Sequence, residues 1–187
     1  MNNRGRIIGA VVLVAILVFC DWYFDKPIKP VVAANTKPVV KVEKELSRFL
    51  PNPYFTPGKR FPRVTKEQLC TVGYTKTVRD VTESKKKVIF DIYKVDRTKD
   101  QYEVDHLISL QLGGNNDISN LWPQSYTTQP WNARIKDKLE NRLNKEMCNG
   151  NMSVREVQER ISKDWILTYC ELYDDMVQEC KKYKGEK

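Results

Sequence analysis

The chain has 187 residues, and 32 Lys and Arg against 24 Asp and Glu give it a formal net charge of +8 at pH 7. A hydrophobic fraction of 41% with only 8 Gly and 9 Pro excludes collagenous and low-complexity classes. The single histidine, His106, excludes every site that needs two or three imidazoles, including the HExxH zinc hydrolases.

Residues 1–25 predict one transmembrane helix that acts as a signal anchor. Arg4 and Arg6 precede an uncharged run from Ile7 to Cys20, and the segment taken to Phe24 has 18 residues, close to the shortest length that crosses a bilayer core of ~30 Å. Arginines on the short side favour a single-pass protein of the inner membrane, with its N-terminus inside and the remaining chain extracytoplasmic, or periplasmic. Cleavage as a signal peptide, which would give a secreted protein, is the alternative.

Residues 26–44 read as a proline-containing tether, and residues 45–187 as one folded domain. An even number of cysteines follows the anchor. In an oxidising compartment this number favours disulfides with three possible connectivities, while buried free thiols are the alternative. The four residues are Cys70, Cys148, Cys170 and Cys180.

The first half of the domain predicts two helices around an extended segment. Thr65 and Gln68 form a capping box that opens a short helix. Weak alternation from Val72 to Val81 predicts a strand or extended segment. Ser84 then caps a helix that continues to Val95.

The second half predicts a hairpin followed by helices. A strand from Tyr102 to Leu112 bends near His106, a Gly-rich turn follows, and a second extended piece runs from Ile118 until Pro123 stops it. Apolar residues at every fourth position predict an amphipathic helix from about Trp131 to Met147, ended by Asn149-Gly150. Ser153 and Glu156 begin a further helix through Tyr169, which continues with a kink to about Lys182.

Asp105, His106, Asn120 and Asn132 follow one another in an order that suits one-metal phosphodiester hydrolysis. A carboxylate such as Asp105 and an amide oxygen such as that of Asn132 are ligands for a hard divalent cation. A neutral His106 imidazole is able to take a proton from the attacking water. For Asn132 a helix cap remains an equal alternative, and for His106 a purely structural role is the alternative.

The residues resemble the HNH endonuclease family, whose fold is called ββα-metal. Asp105-His106 resembles the first motif position, Asn120-Leu121 the middle one and Asn132 the last. The resemblance extends over residues 50–169 to small extracytoplasmic HNH-type proteins of bacteria and phages, through Gly113-Gly114 and the stretch Asn120-Leu121-Trp122-Pro123. The separation between Asn120 and Asn132 is longer than in compact HNH motifs, and the paired CxxC motifs that bind zinc in many members are absent.

The resemblance implies an α+β fold with a ββα-metal core at about residues 100–148 and flanking helices. It implies that His106 is the general base, that Asp105 and Asn132 bind Mg²⁺ or Mn²⁺, and that Asn120 orients the site. Similar proteins have a further Cys where Phe55 stands here, so the resemblance implies that one disulfide of the group is missing. It implies that the remaining disulfide joins Cys70 and Cys148.

The expected function is low-specificity endonuclease activity on DNA, or RNA, that crosses the cell envelope, for example in the exclusion of incoming phage DNA. Basic side chains at the start of the helix are candidates for phosphate contacts, with a solvated helix face as the alternative; they are Arg134, Lys136 and Lys138. A non-catalytic HNH-fold module that binds nucleic acid or an envelope protein is the alternative function.

Overall fold

The computed structural model describes residues 48–98 and 101–185. The expected anchor and tether, residues 1–25 and 26–44, lie outside the described residues. Within the described part, no helix is long and apolar enough to cross a membrane. The described elements are, in chain order, α1 (Lys66–Leu69), α2 (Tyr74–Val78), α3 (Glu83–Tyr93), β1 (Tyr102–His106), a 3₁₀ turn (Leu110–Leu112), a second 3₁₀ turn (Ile118–Asn120), β2 (Leu121–Ser125), α4 (Ala133–Cys148), α5 (Val154–Leu172) and α6 (Val177–Lys184).

The two strands form an antiparallel sheet in which His106 lies opposite Leu121 and Asp105 lies opposite Trp122. Asp105 contacts Lys136 of α4 and His106 contacts Asn116 of the turn, and the two side chains are close enough for the charge of Asp105 to act on the imidazole. The sequence predicts that Pro123 ends the second strand, but β2 continues to Ser125. Each strand of a two-stranded sheet has one free edge. Pro123, which has no N–H, is tolerated within β2 because at that edge no ladder hydrogen bond is lost.

Helix α4 has the boundaries that its sequence predicts, to within two residues. Asn132 caps the N-terminus by accepting a hydrogen bond from the Ile135 N–H, and Asn149 is the C-terminal cap. Gly150 follows with a φ of 84°, a left-handed conformation that suits glycine. Leu139, Leu143 and Met147 of the apolar stripe are fully buried in the core that α4 shares with α5, and Ile135 is partly buried, so this stripe holds the helix in place.

Aromatic rings form the centre of the core between α4 and α5. The ring of Trp131 meets those of Trp165 and Tyr169 edge-on, at centroid distances of 6.2 and 5.8 Å. Such pairs contribute about 0.5–1.5 kcal/mol beyond the area that they bury. The Trp165 Nε1–H donates to the Phe49 carbonyl at 3.1 Å, which ties the first described residues to the core.

Further segments differ from the sequence prediction. Thr82, and not Ser84, caps α3, which ends at Tyr93 and not at Val95. The extended segment expected at residues 72–81 contains helix α2, which begins after Gly73 in the left-handed conformation, with a φ of 86°. Val72 is fully exposed, so the apolar alternation that suggested a strand has no core to face. In α5 the break falls at Asp164, whose side chain accepts from the Leu167 N–H at 2.9 Å and so caps the second half of the helix.

Two disulfides join elements that are separate in the sequence. Cys70 after α1 is bonded to Cys148 at the end of α4, the pair that the family resemblance implies. Cys170 in α5 is bonded to Cys180 in α6. All four cysteines of the expected extracytoplasmic domain are therefore used in disulfides.

Candidate active site

Asp105 and His106 end β1 at the point where α4 packs against the sheet. The ammonium of Lys136 on α4 donates to Asp105 Oδ2 and to the backbone carbonyl of His106, both at 2.7 Å. One side chain of the helix therefore fixes the position of the carboxylate and of the backbone that carries the imidazole.

Asn116 fixes the orientation of the His106 ring. The Asn116 Nδ2 donates to the Val78 carbonyl at 2.7 Å, and its Oδ1 accepts from the Asp80 N–H at 3.1 Å, so the amide orientation is set by the backbone. His106 Nε2 lies 3.1 Å from the same Oδ1. Because that oxygen is an acceptor, Nε2 carries the proton, and Nδ1 of the neutral ring retains its lone pair.

The surroundings of His106 keep the imidazole neutral. The residue is 2% exposed, and this burial lowers the pKa of His106 to about 4. The negative charge of Asp105 opposes that shift, while the positive charges of Arg79 and Lys136 add to it. At pH 7 the ring is therefore a proton acceptor and not a cation.

Asn120 holds the loop that follows His106. Its Oδ1 accepts from the N–H groups of Ile108 and Lys59 at 3.0 and 3.2 Å, and its Nδ2 donates to the carbonyls of Ile108 and Asn115 at 3.0 and 2.8 Å. This fully buried amide has all its donors in use, so it acts on the backbone of the loop and not on a substrate. The orienting role expected for Asn120 remains compatible with this position.

The same loop requires glycine at position 114. A Cβ on Gly114 would lie 1.6 Å from the carbonyl oxygen of Ile108 and 2.9 Å from the Asn120 Nδ2. Both atoms belong to the hydrogen-bonded arrangement around Asn120, so neither is able to move without breaking it. The Gly-Gly turn therefore permits the close approach that positions the loop.

Lys136 differs from its expected role as a surface phosphate contact. The residue is fully buried, and its ammonium also bonds the carboxylate of Glu140, one turn further along α4. With Asp105, the His106 carbonyl and Glu140 as partners, all three N–H donors are in use. No donor remains for a phosphate, and the ion cluster links the helix to the sheet.

The other two basic candidates are exposed but already engaged. The guanidinium of Arg134 lies over the Tyr126 ring, 5.6 Å from its centroid. Lys138 donates to Asp175 at 2.5 Å and lies 4.4 Å from the centroid of Tyr173. Both side chains are at the surface, where these weak contacts are exchangeable for others.

Further carboxylates surround Asp105. Burial raises the pKa of Glu103, with Asp105 and Asp137 adding to the shift, and Glu103 accepts a short hydrogen bond from the Tyr126 hydroxyl. Desolvation and the charge of Asp105 likewise raise the pKa of Asp137. Burial is the larger cause of both shifts, and repulsion between the carboxylates is the smaller one.

The donor set fits a hard divalent cation in kind. Asp105 Oδ1 has no partner among the described residues, whereas the amide oxygen of Asn132 caps α4; both are oxygen atoms of the kind that such a cation binds. Within residues 48–98 and 101–185 there is no group of three or more His, Cys, Asp or Glu side chains that is arranged to hold a metal.

Sequence reasoning missed Asn116, the residue that sets the tautomer of His106. The Gly-rich turn contains two neighbouring asparagines, Asn115 and Asn116, and nothing local distinguishes them. Only the fold brings Val78 and Asp80 to the amide of Asn116.

Comparisons with protein-family models, with curated proteins and with solved structures give no significant match.

Proposed function

We propose that this protein is a divalent-metal-dependent endonuclease of the HNH kind, which hydrolyses phosphodiester bonds of DNA, or RNA, with low sequence specificity. The observation that carries the proposal is the state of His106. Its Nε2 is committed to Asn116, its Nδ1 is free to accept a proton, and the Asp105 carboxylate precedes it on the strand. This is the arrangement that a general base beside a cation site needs.

In this proposal each residue has a separate task. His106 Nδ1 takes the proton of the attacking water, and Asn116 keeps that nitrogen unprotonated beforehand. Asn120 and Gly114 hold the loop that carries Asn116 in one conformation. Asp105 and Asn132 would hold Mg²⁺ or Mn²⁺, which when bound stabilises charge on the phosphate and on the leaving oxygen.

The proposed compartment is the extracytoplasmic side of the inner membrane, with the chain anchored by residues 1–25. Two disulfides support an oxidising compartment, because such bonds are rare in the cytosol. There an anchored nuclease would meet DNA that crosses the envelope, and exclusion of phage DNA is the role that we propose for it.

Nicking of a supercoiled plasmid by the purified full chain tests the cation requirement. We expect nicking with Mg²⁺ or Mn²⁺ and none with excess chelator. Asp105→Ala is expected to reduce the rate at least tenfold, because the carboxylate is a proposed ligand. The matched control is Asp174→Ala, which removes an exposed carboxylate on the segment after α5. Equal rates for the chain with and without metal, or for Asp105→Ala and wild type, would contradict the proposal.

A non-catalytic HNH-fold module that binds nucleic acid or an envelope protein is the second candidate function. It is favoured by the 2% exposure of His106 and by the ion pair that occupies one oxygen of Asp105. Binding of DNA without cleavage at any metal concentration supports this candidate over the enzyme.

A further inference from the structure

The Asn116 amide does more than orient His106, because it also holds the backbone on both sides of Arg79. The Val78 carbonyl accepts from Nδ2, and the Asp80 N–H donates to Oδ1, the oxygen that also accepts from His106 Nε2. One planar amide therefore joins the imidazole to the peptide segment 78–80. Arg79 is the central residue of that segment.

Arg79 has an exposed side chain without a partner. No hydrogen bond or ion pair engages its guanidinium among the described residues. The neighbouring carboxylate of Asp80 is engaged by Lys85 instead. Other arginines differ: Arg142 and Arg155 each pair with a glutamate one turn along their helices.

Asn116 bonds the backbone on both sides of Arg79 as well as the imidazole, so the backbone of Arg79 is held close to the ring. The guanidinium of Arg79 therefore has no anionic partner among the described residues and is available to bind one. Its five N–H donors lie in a plane and match the oxygens of a phosphate group.

We propose that Arg79 is a substrate-positioning residue, whose guanidinium binds the non-bridging oxygens of a nucleic-acid phosphodiester next to His106. The assignment rests on the proposed function, since it names the substrate contact of the same site. Asn116 then serves as a common support, because it fixes the proton-accepting group and the phosphate-binding segment relative to each other.

Binding and cleavage are measured separately to test this assignment. Fluorescein-labelled single- and double-stranded DNA is titrated with the full chain in chelator, and binding is followed by anisotropy at several salt concentrations. We expect Arg79→Ala to weaken binding about tenfold for every sequence and to lower the slope of log affinity against log salt by about one. Arg79→Lys is expected to restore the salt slope and part of the affinity.

Arg63→Ala is the matched control, because Arg63 is also exposed and lies outside the segment that Asn116 holds. Arg63→Ala is expected to leave the DNA affinity within twofold of the wild type and the salt slope unchanged. Unchanged binding and slope in Arg79→Ala, equal losses in Arg79→Ala and Arg63→Ala, or no DNA binding by the wild type would overturn the assignment. Binding that depends on Arg79 without any cleavage would contradict only the hydrolase proposal.

Discussion

At the scale of single residues, the hydrogen bonds of one amide determine which nitrogen of His106 is available. Asn116 is oriented by two backbone groups, so its Oδ1 always faces His106 Nε2. The sequence identifies His106 because it is the only imidazole in the chain, preceded by a carboxylate. It does not identify Asn116, because the contact depends on where the chain crosses itself.

The single histidine makes the tautomer directly measurable. In a histidine-labelled sample, ¹⁵N NMR at pH 7 is expected to show one neutral ring with the proton on Nε2. Burial lowers the pKa of His106 to about 4, so the signals should not titrate until the pH falls well below 6.5. Between these values the unfolded chain binds the proton and the folded chain does not, so acidification through this window destabilises the fold. A ring that carries its proton on Nδ1, or that titrates near pH 6.5, would show that the assigned contacts are incorrect.

Lys136 is a second residue whose role depends on burial. The sequence predicts Lys136 at the surface, as a phosphate contact or on a solvated helix face, and its i, i+4 spacing to Glu140 is also that of an exposed helix pair. In the fold its ammonium has no contact with solvent and bonds two carboxylates and a carbonyl. Asp105, the partner on β1 that distinguishes a buried ion cluster from an exposed helix pair, is 31 positions away from Lys136 in the sequence.

Replacement of Lys136 by methionine tests this cluster. The change leaves two partly or fully buried carboxylates without their cation, so we expect the free energy of unfolding to fall by about 3–5 kcal/mol. Lys145→Met on the exposed face of the same helix is the control and should cost less than about 0.5 kcal/mol. Urea unfolding followed by circular dichroism provides the measurement. Similar stability for the two variants would mean that the cluster contributes nothing.

At the scale of elements, capping residues within one turn predict where several helices begin, whereas the structure of the segments between helices depends on distant contacts. The Thr65 capping box and the Asn132 cap lie where the sequence places them, because each depends on residues within one turn. Helix α2 was missed because its sequence has no apolar stripe, and its position depends on contacts with the loop that carries Asn116. The helix break at Asp164 was not predicted, since the expected kink lay beyond Tyr169; it depends on a side chain that caps within the helix.

The two disulfides close loops of very different length, and their removal should have different costs. Cys70 and Cys148 are 78 positions apart, whereas Cys170 and Cys180 are 10 positions apart. Loop-closure entropy predicts a loss of about 4.5 kcal/mol for the double serine variant of the long loop, and about 2.7 kcal/mol for the short one. Urea midpoints of the two double variants test this order. A larger loss for the short loop would mean that local strain or packing outweighs chain entropy.

At the scale of the whole molecule, the sequence predicts a mixed content of helices and strands and the residues of the candidate site. It does not predict the protonation or the pairing of those residues. A two-stranded sheet and a helix bring Asp105, His106 and Lys136 together, and the α+β content agrees with the pattern read from the sequence. Tertiary contacts between distant segments determine the protonation of His106 and the pairing of Asp105. They also determine which segment the Asn116 amide holds near the imidazole. The net charge of +8 suits a polyanionic substrate, without distinguishing cleavage from binding.

The single-turnover rate of plasmid nicking by His106→Ala, relative to the wild type in Mn²⁺, tests the central claim most directly. Circular dichroism and DNA affinity of both proteins are measured first, so that a loss of rate is assigned to chemistry. A general base contributes roughly 10²–10⁴-fold, so the variant is expected to nick at least about a hundredfold more slowly while it binds DNA normally. A folded variant that nicks at the wild-type rate would contradict the account, because the chain has no other imidazole to take the proton.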